Sequence, residues 1–231
     1  MKTKIVLGML CALGVAYGAV NTKEIEKTLQ AHSLQGSVVS SSELASGLSM
    51  VVVSVNGQEA PFLATDDGKL IFQPEVLLAQ DKSVEPRVQA FYKEIFDKQK
   101  TKTNTALKDV FKKQDVNVFH LKSAKNTTKT IYIVSDANCP YCQKEFARLS
   151  ERLEGANVEL LLVGFLGEDS MQKAAYALKN KSGNQAQDIA MLTKLYQPKS
   201  KIQPTDTKVA KDITQAVSET GVRGVPYIIE E

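Results

Sequence analysis

The chain has 231 residues, of which 43% are hydrophobic and 24% charged, with no tryptophan and a formal net charge of +3. That is the composition of an ordinary soluble globular protein of one or two domains. The near-balanced charge gives no reason to expect nucleic acid or an anionic membrane as a partner.

At the N-terminus, Lys2 and Lys4 precede an apolar run, Ile5 to Val15, and the small residues Ala16 and Gly18 follow. A basic start, a short apolar centre and a small-x-small exit predict a secretory signal peptide over residues 1–18, cleaved after Gly18. The run is too short to span a bilayer. Cys11 follows Leu10, not the small residue that a lipoprotein attachment cysteine wants. Cleavage leaves 27 basic and 26 acidic side chains, a net charge of +1, and two cysteines, Cys139 and Cys142. An exported chain with a single Cys-x-x-Cys is not a disulfide-stapled scaffold.

Residues 19–82 read as a small α+β domain. Asn21 and Glu24 form a capping pair, and Ile25, Leu29 and Leu34 share one helical face. His32, on or near this helix, reads as a surface histidine. Valine-rich Leu48 to Val55 and Gln58 to Ala64 are strands joined by Asn56-Gly57, a strong hairpin signal. Pro61 suggests an edge or a bulge. Asp66-Asp67-Gly68 turns into a third strand, Lys69 to Phe72. This stretch holds no nucleophile and no ligand cluster, and so small a sheet buries little by itself. Its expected job is to pair with a second copy.

Residues 83–114 read as a charged helical linker. Val88, Phe91 and Ile95 make one stripe; Leu107, Val110 and Phe111 make another. The polar run Asp97 to Asn104 between them predicts a break or bend. A mostly helical segment of this length spans on the order of 40 Å.

The second domain, 115–231, opens with a strand from Val116 to Lys122 and continues with a buried strand, Ile131 to Ser135. Then comes Asp136-Ala137-Asn138-Cys139-Pro140-Tyr141-Cys142, a loop running into a helix that ends at Gly155. A strand at Val158 to Phe165 completes a βαβ unit. Helical pieces follow around Ala174 to Leu178 and Ile189 to Leu195. A last helix, Asp206 to Thr220, stops at Gly221. Gly224-Val225-Pro226 then leads into a strand.

Helix N-termini stabilise thiolates, and Pro140 suits the first helical position. Cys139 is therefore expected to be an exposed, acidic nucleophile, with Cys142 one turn on to resolve its mixed disulfides. A purely structural bridge over four residues would be worth only about 2 kcal/mol, against about 4.7 for a 100-residue loop. Zinc needs about four ligands, and neither His32 nor His120 lies at suitable spacing. Redox chemistry explains the pair better.

Cys139-Pro140-Tyr141-Cys142 on a strand-to-helix turn, with Gly224-Val225-Pro226 before a late strand, resembles the active site of the thioredoxin fold. The resemblance implies a cis Pro226 lying against the cysteines, keeping the sulfurs accessible and blocking metal capture. It also implies that the Val225 backbone pairs with an extended substrate segment. The order of parts, with Thr65-Asp66-Asp67-Gly68-Lys69 in the first domain and Ser135-Asp136 before the cysteines, is similar to the periplasmic DsbC/DsbG thiol-disulfide isomerases. What this implies is an α/β thioredoxin-fold catalytic domain with a helical insert, behind a cystatin-like α+β dimerisation domain and a helical linker. Pro140 and Tyr141, the DsbG-branch dipeptide, would modulate the active site. The implied protein is a periplasmic homodimer acting on misoxidised exported proteins without metal or organic cofactor, its Cys139–Cys142 disulfide kept reduced by a DsbD-like membrane protein.

Three positions depart from or qualify this pattern. Val225 stands where isomerases usually carry Thr and DsbA-type oxidases carry Val, so a DsbA-like oxidase served by a DsbB-like partner is the alternative. A cleft-type chaperone with incidental cysteines is the second. Ile133 stands where thioredoxin and DsbA keep a buried carboxylate, which favours DsbC/DsbG. The thioredoxin fold is expected to continue past Glu231 into another strand and a helix, which points to a truncated sequence.

Overall fold

The computed structural model describes residues 20–231, so the expected signal peptide, with Cys11, lies outside the described residues. The chain forms two compact units that divide between Gln99 and Lys100.

The first unit opens with α1 (Thr22–Ala31). Asn21 caps it, its Oδ1 accepting from the Glu24 N–H at 3.2 Å, which satisfies one of the helix's orphan donors. Ile25 and Leu29 pack with Val51, Val53 and Ala64 of the sheet. Leu34 falls beyond the helix end and stays exposed. The sheet is an antiparallel meander of β1 (Gly36–Ala45), β2 (Leu48–Val55), β3 (Gln58–Thr65) and β4 (Ile71–Phe72).

Asn56 and Gly57 both have positive φ, 52° and 78°, the geometry that matches the twist of a tight hairpin. Gly68 is needed for two reasons. Its φ is +73°, and a Cβ there would come within 2.5 Å of the Asn21 carbonyl oxygen. The expectation for Pro61 holds: β4 pairs only with Leu63 and Ala64, so Pro61 lies where β3 lacks that neighbour. The Gln73 side-chain amide donates to its carbonyl at 2.8 Å. Strand β1 was not expected. Its Ser37, Ser40, Ser41 and Ser42 hide any apolar alternation, and its register on β2 shifts twice.

Helix α2 (Val84–Lys113) runs without interruption for 30 residues, about 45 Å, so the predicted break at 97–104 is absent. The polar run contains neither Gly nor Pro, and Thr, Asn and Lys cost only tenths of a kcal/mol each in a helix. Both flanks are anchored. Val84 and Val88 pack in the first unit with Leu44, Met50 and Leu63. Leu107, Val110 and Phe111 belong to a core of the second.

The second unit contains β5 (Phe119–Leu121), β6 (Thr130–Ser135), α3 (Pro140–Ala147), α4 (Leu149–Gly155) and β7 (Asn157–Leu162). It continues with α5 (Glu168–Lys179), α6 (Gln185–Leu195), α7 (Lys208–Glu219) and β8 (Tyr227–Glu230). Its sheet has the order β5-β7-β6-β8. Strands β6 and β7 are parallel, as the βαβ reading requires, and β5 and β8 are antiparallel to their neighbours. The helix expected from Cys139 to Gly155 is divided at Arg148 into α3 and α4.

Strand alternation splits the core of this unit into two faces. Ile131 and Ile133 join Leu149, Leu160, Leu192 and Tyr196 in one cluster. Val134 joins Leu161, Ile213 and Val217 in the other. The C-terminal end of β6, buried on both faces, delivers the chain to Cys139.

Candidate redox site

Cys139 is the N-cap of α3, and Pro140 occupies its first turn. The Cys139 carbonyl accepts from the Gln143 N–H at 2.9 Å. Both cysteines are free thiols. Cys142 is fully buried, and Cys139 is only 6% exposed. Cys139 is therefore not the exposed nucleophile that its position suggested. Its Sγ sits 3.3 Å from the Val225 carbonyl oxygen, to which the thiol donates. The Val225–Pro226 bond is cis, so the loop before β8 lies directly against the first cysteine. Tyr141, by contrast, is 70% exposed, beside the Lys144 ammonium at 5.8 Å from its ring centre. The structure thus gathers Cys139, Cys142, Pro140, Val225 and Pro226 at one place, with Tyr141 on its surface.

The two thiols are unlike. Burial pushes the Cys142 thiol up to about 12, opposed by hydrogen bonds from the Asp136 N–H and the Ser135 hydroxyl. The Asp136 N–H lies 3.4 Å from Cys142 Sγ. A thiol held this strongly protonated is unreactive until its environment or its partner changes.

The loop before Cys139 is held by groups that the sequence reading did not select. Buried Asp136 accepts from the Asn138 N–H at 2.9 Å and from the Leu166 N–H at 3.0 Å. The Asn138 side chain donates to Asp169 at 2.7 Å and accepts from Lys173 at 2.6 Å. Lys173 is 2% exposed, and its ammonium is 3.2 Å from Asp169. The Asn138 amide first, and Lys173 after it, hold the Asp169 carboxyl below its ordinary value. On the other side Tyr196 donates to the Ser135 hydroxyl at 2.6 Å, both groups buried. Burial raises the Tyr196 phenol above its usual range. Asp169, Lys173 and Tyr196 come from the helical insert, 31, 35 and 58 residues after Asn138 or beyond. Only Ser135-Asp136 carried a local signal.

A pair of free cysteines at a strand-to-helix turn, faced by a cis proline ahead of an antiparallel strand, defines a thiol protein of the thioredoxin fold. The comparisons narrow the class. The family model described as Disulfide isomerase DsbG N-terminal matches residues 25–107. The thiol:disulfide interchange protein DsbG of Pseudomonas aeruginosa is 23% identical over 190 residues, covering 80% of this chain and 70% of that protein. The solved structure of Helicobacter pylori DsbG is similar in fold with a TM-score of 0.52 at 21% identity, over 91% of this chain and all of that one. The chain has the thioredoxin fold in its second unit and is similar, in its first unit and in the order of its parts, to DsbG proteins.

Proposed function

We propose that this protein carries out thiol-disulfide exchange on exported proteins in the periplasm, isomerising or reducing incorrect disulfides. The observation that carries the reading is the Cys139 thiol at the head of α3, 3.3 Å from the carbonyl of Val225 before cis Pro226. Cys139 attacks a substrate disulfide. One substrate sulfur joins Cys139, and the other leaves as a thiol. A substrate thiol then displaces Cys139, which is isomerisation, or Cys142 displaces the substrate, which is reduction. The high proton affinity of Cys142 supports the first outcome, because a neutral thiol is a poor competitor. Val225 and Pro226 line the place where an extended substrate segment would pair, and exposed Tyr141 would meet its side chains.

The first unit supplies dimerisation, tested by whether the mature protein sediments as a dimer at micromolar concentration. A DsbD-like membrane reductase would return the cysteines to the dithiol. The basic start, apolar centre and small-residue exit of residues 1–18 support export.

Reactivation of scrambled ribonuclease in a glutathione buffer tests the proposal. Recovery that vanishes in Cys139→Ser is expected. Val225 favours one rival, a DsbA-like oxidase. Rapid oxidation of reduced ribonuclease, with no rescue of the scrambled form, would establish that rival instead.

A further inference from the structure

Reduction of a mixed disulfide, on the reading above, requires Cys142 to lose a proton in a fully buried position. Among the described residues no carboxylate hydrogen-bonds its sulfur. The adjacent acid, Asp136, has each of its oxygens engaged by a backbone N–H, those of Asn138 and Leu166. Ile133, two residues before Ser135 and so on the same face of β6, is apolar. What does reach Cys142 is the Asp136 N–H at 3.4 Å, and the residue before it, buried Ser135, carries a hydroxyl that lowers the thiol's proton affinity. Behind Ser135 stands Tyr196, whose hydroxyl donates to Ser135 Oγ at 2.6 Å. Tyr196 is itself fixed, stacked on Phe146 of α3 with ring centres 4.3 Å apart and planes within 9°.

The order of these groups sets a direction. Because Ser135 Oγ accepts a hydrogen bond from the Tyr196 hydroxyl, its own O–H is free to point at Cys142. Each donor polarises the next, which strengthens the terminal bond in a low-dielectric site. A bond of this kind is worth most when its acceptor is an anion.

We infer that Ser135 and Tyr196 form a hydroxyl chain that stabilises the Cys142 thiolate as it resolves the mixed disulfide, Ser135 touching the reacting sulfur and Tyr196 positioning Ser135. This deepens the exchange reading and rests on it. In the step concerned, Cys142 sulfur bonds to Cys139 sulfur and the bond from Cys139 to the substrate sulfur breaks. The substrate sulfur leaves with the electron pair and takes up the proton that Cys142 gave up. The chain does not itself carry that proton away, since buried Tyr196 holds its own tightly.

Reaction with dithiobis(nitrobenzoate) separates the two cysteines without any protein substrate. Cys139 releases one nitrothiobenzoate and keeps the other as a mixed disulfide. Cys142 then releases the second, so the second phase is absent in Cys142→Ser. Losing a hydrogen bond to a thiolate lowers its population about tenfold, and the higher basicity returns about threefold in nucleophilicity. Tyr196→Phe, which keeps the ring, is therefore expected to slow the second phase about threefold near neutral pH. Its pH profile should move upward, and the first phase should be unchanged. Ser135→Ala should slow the second phase at least as much, and adding Tyr196→Phe to it should do nothing further. An unchanged second phase, equal slowing of both phases, or additive effects of the two substitutions would overturn the inference. Failure of the exchange reading would look different: there would be no fast first phase dependent on Cys139.

Discussion

The raised proton affinity of Cys142 makes stability depend on pH in a way that can be isolated. In the unfolded chain this thiol titrates near its ordinary value of 9.0; in the fold, burial pushes it up to about 12. The folded state therefore holds the proton through a window in which the unfolded state has lost it. The contribution is fully present below pH 9 and is lost as pH rises toward 12. One pKa unit is worth about 1.4 kcal/mol. Allowing for half-titration of the unfolded thiol at pH 9, the loss between pH 9 and pH 11 is roughly 2 kcal/mol. Other titrating groups, such as Tyr92 and Tyr227, also shift upward through burial. The measurement must therefore be a difference. Urea unfolding of the fully reduced protein, followed by far-ultraviolet circular dichroism, is compared with that of Cys142→Ala. The gap in stability between the two should narrow by roughly 2 kcal/mol across this window. A gap constant to within about 0.5 kcal/mol would mean that the thiol is not desolvated, and the argument that Cys142 is a reluctant competitor would fail.

Two further outcomes follow from the geometry. Gly68→Ala places a Cβ in the left-handed region and within 2.5 Å of the Asn21 carbonyl oxygen. It should destabilise the first unit by at least about 1–2 kcal/mol in thermal unfolding, while the rate at which Cys139 releases nitrothiobenzoate stays the same. The Asp169 carboxyl is held low by Asn138 and Lys173, so its stabilising effect is present above its ordinary value and fades as pH falls through the lowered one. Asp169→Asn should therefore cost stability at neutral pH and progressively less below about pH 4; an acid-unfolding series that keeps the difference constant would refute the pairing.

The cysteine pair, its helix, the βαβ unit and the hairpin at Asn56-Gly57 were all legible because each is written in a short window. Pro140 and Gly221 punctuate helices where local chemistry says they should, Pro140 in the first turn of α3 and Gly221 with φ 100° after α7. Strand β1 was not legible, since its serines follow no period and tertiary pairing with β2 alone makes it a strand. The unbroken α2 was misread for the opposite reason. A polar window looks like a gap, yet anchoring at both ends holds it helical. The burial of Cys139 was illegible because the covering loop lies 86 residues away.

The helical insert has a role that no local pattern could reveal. It supplies groups to both sides of the loop that the active-site strand delivers. From α5, Lys173 and Asp169 grip Asn138, the residue before Cys139. From the end of α6, Tyr196 reaches Ser135, which with Asp136 faces Cys142. One arm thus acts next to Cys139 and the other next to Cys142. Lys173 is buried while Asp169 is largely exposed, and a buried ammonium left without its partners is costly, which gives a physical reason for Lys173 to fix Asn138 in one position. Removing a hydroxyl from a hydrogen-bonded chain costs less and leaves the packing in place. Substitutions in α5 should therefore disturb the geometry at Cys139, and a change at Tyr196 should alter only the balance between resolution and isomerisation at Cys142. On that division β6, which carries Ile133 in place of a carboxylate and ends at Ser135, would serve a resolving thiol through a hydroxyl.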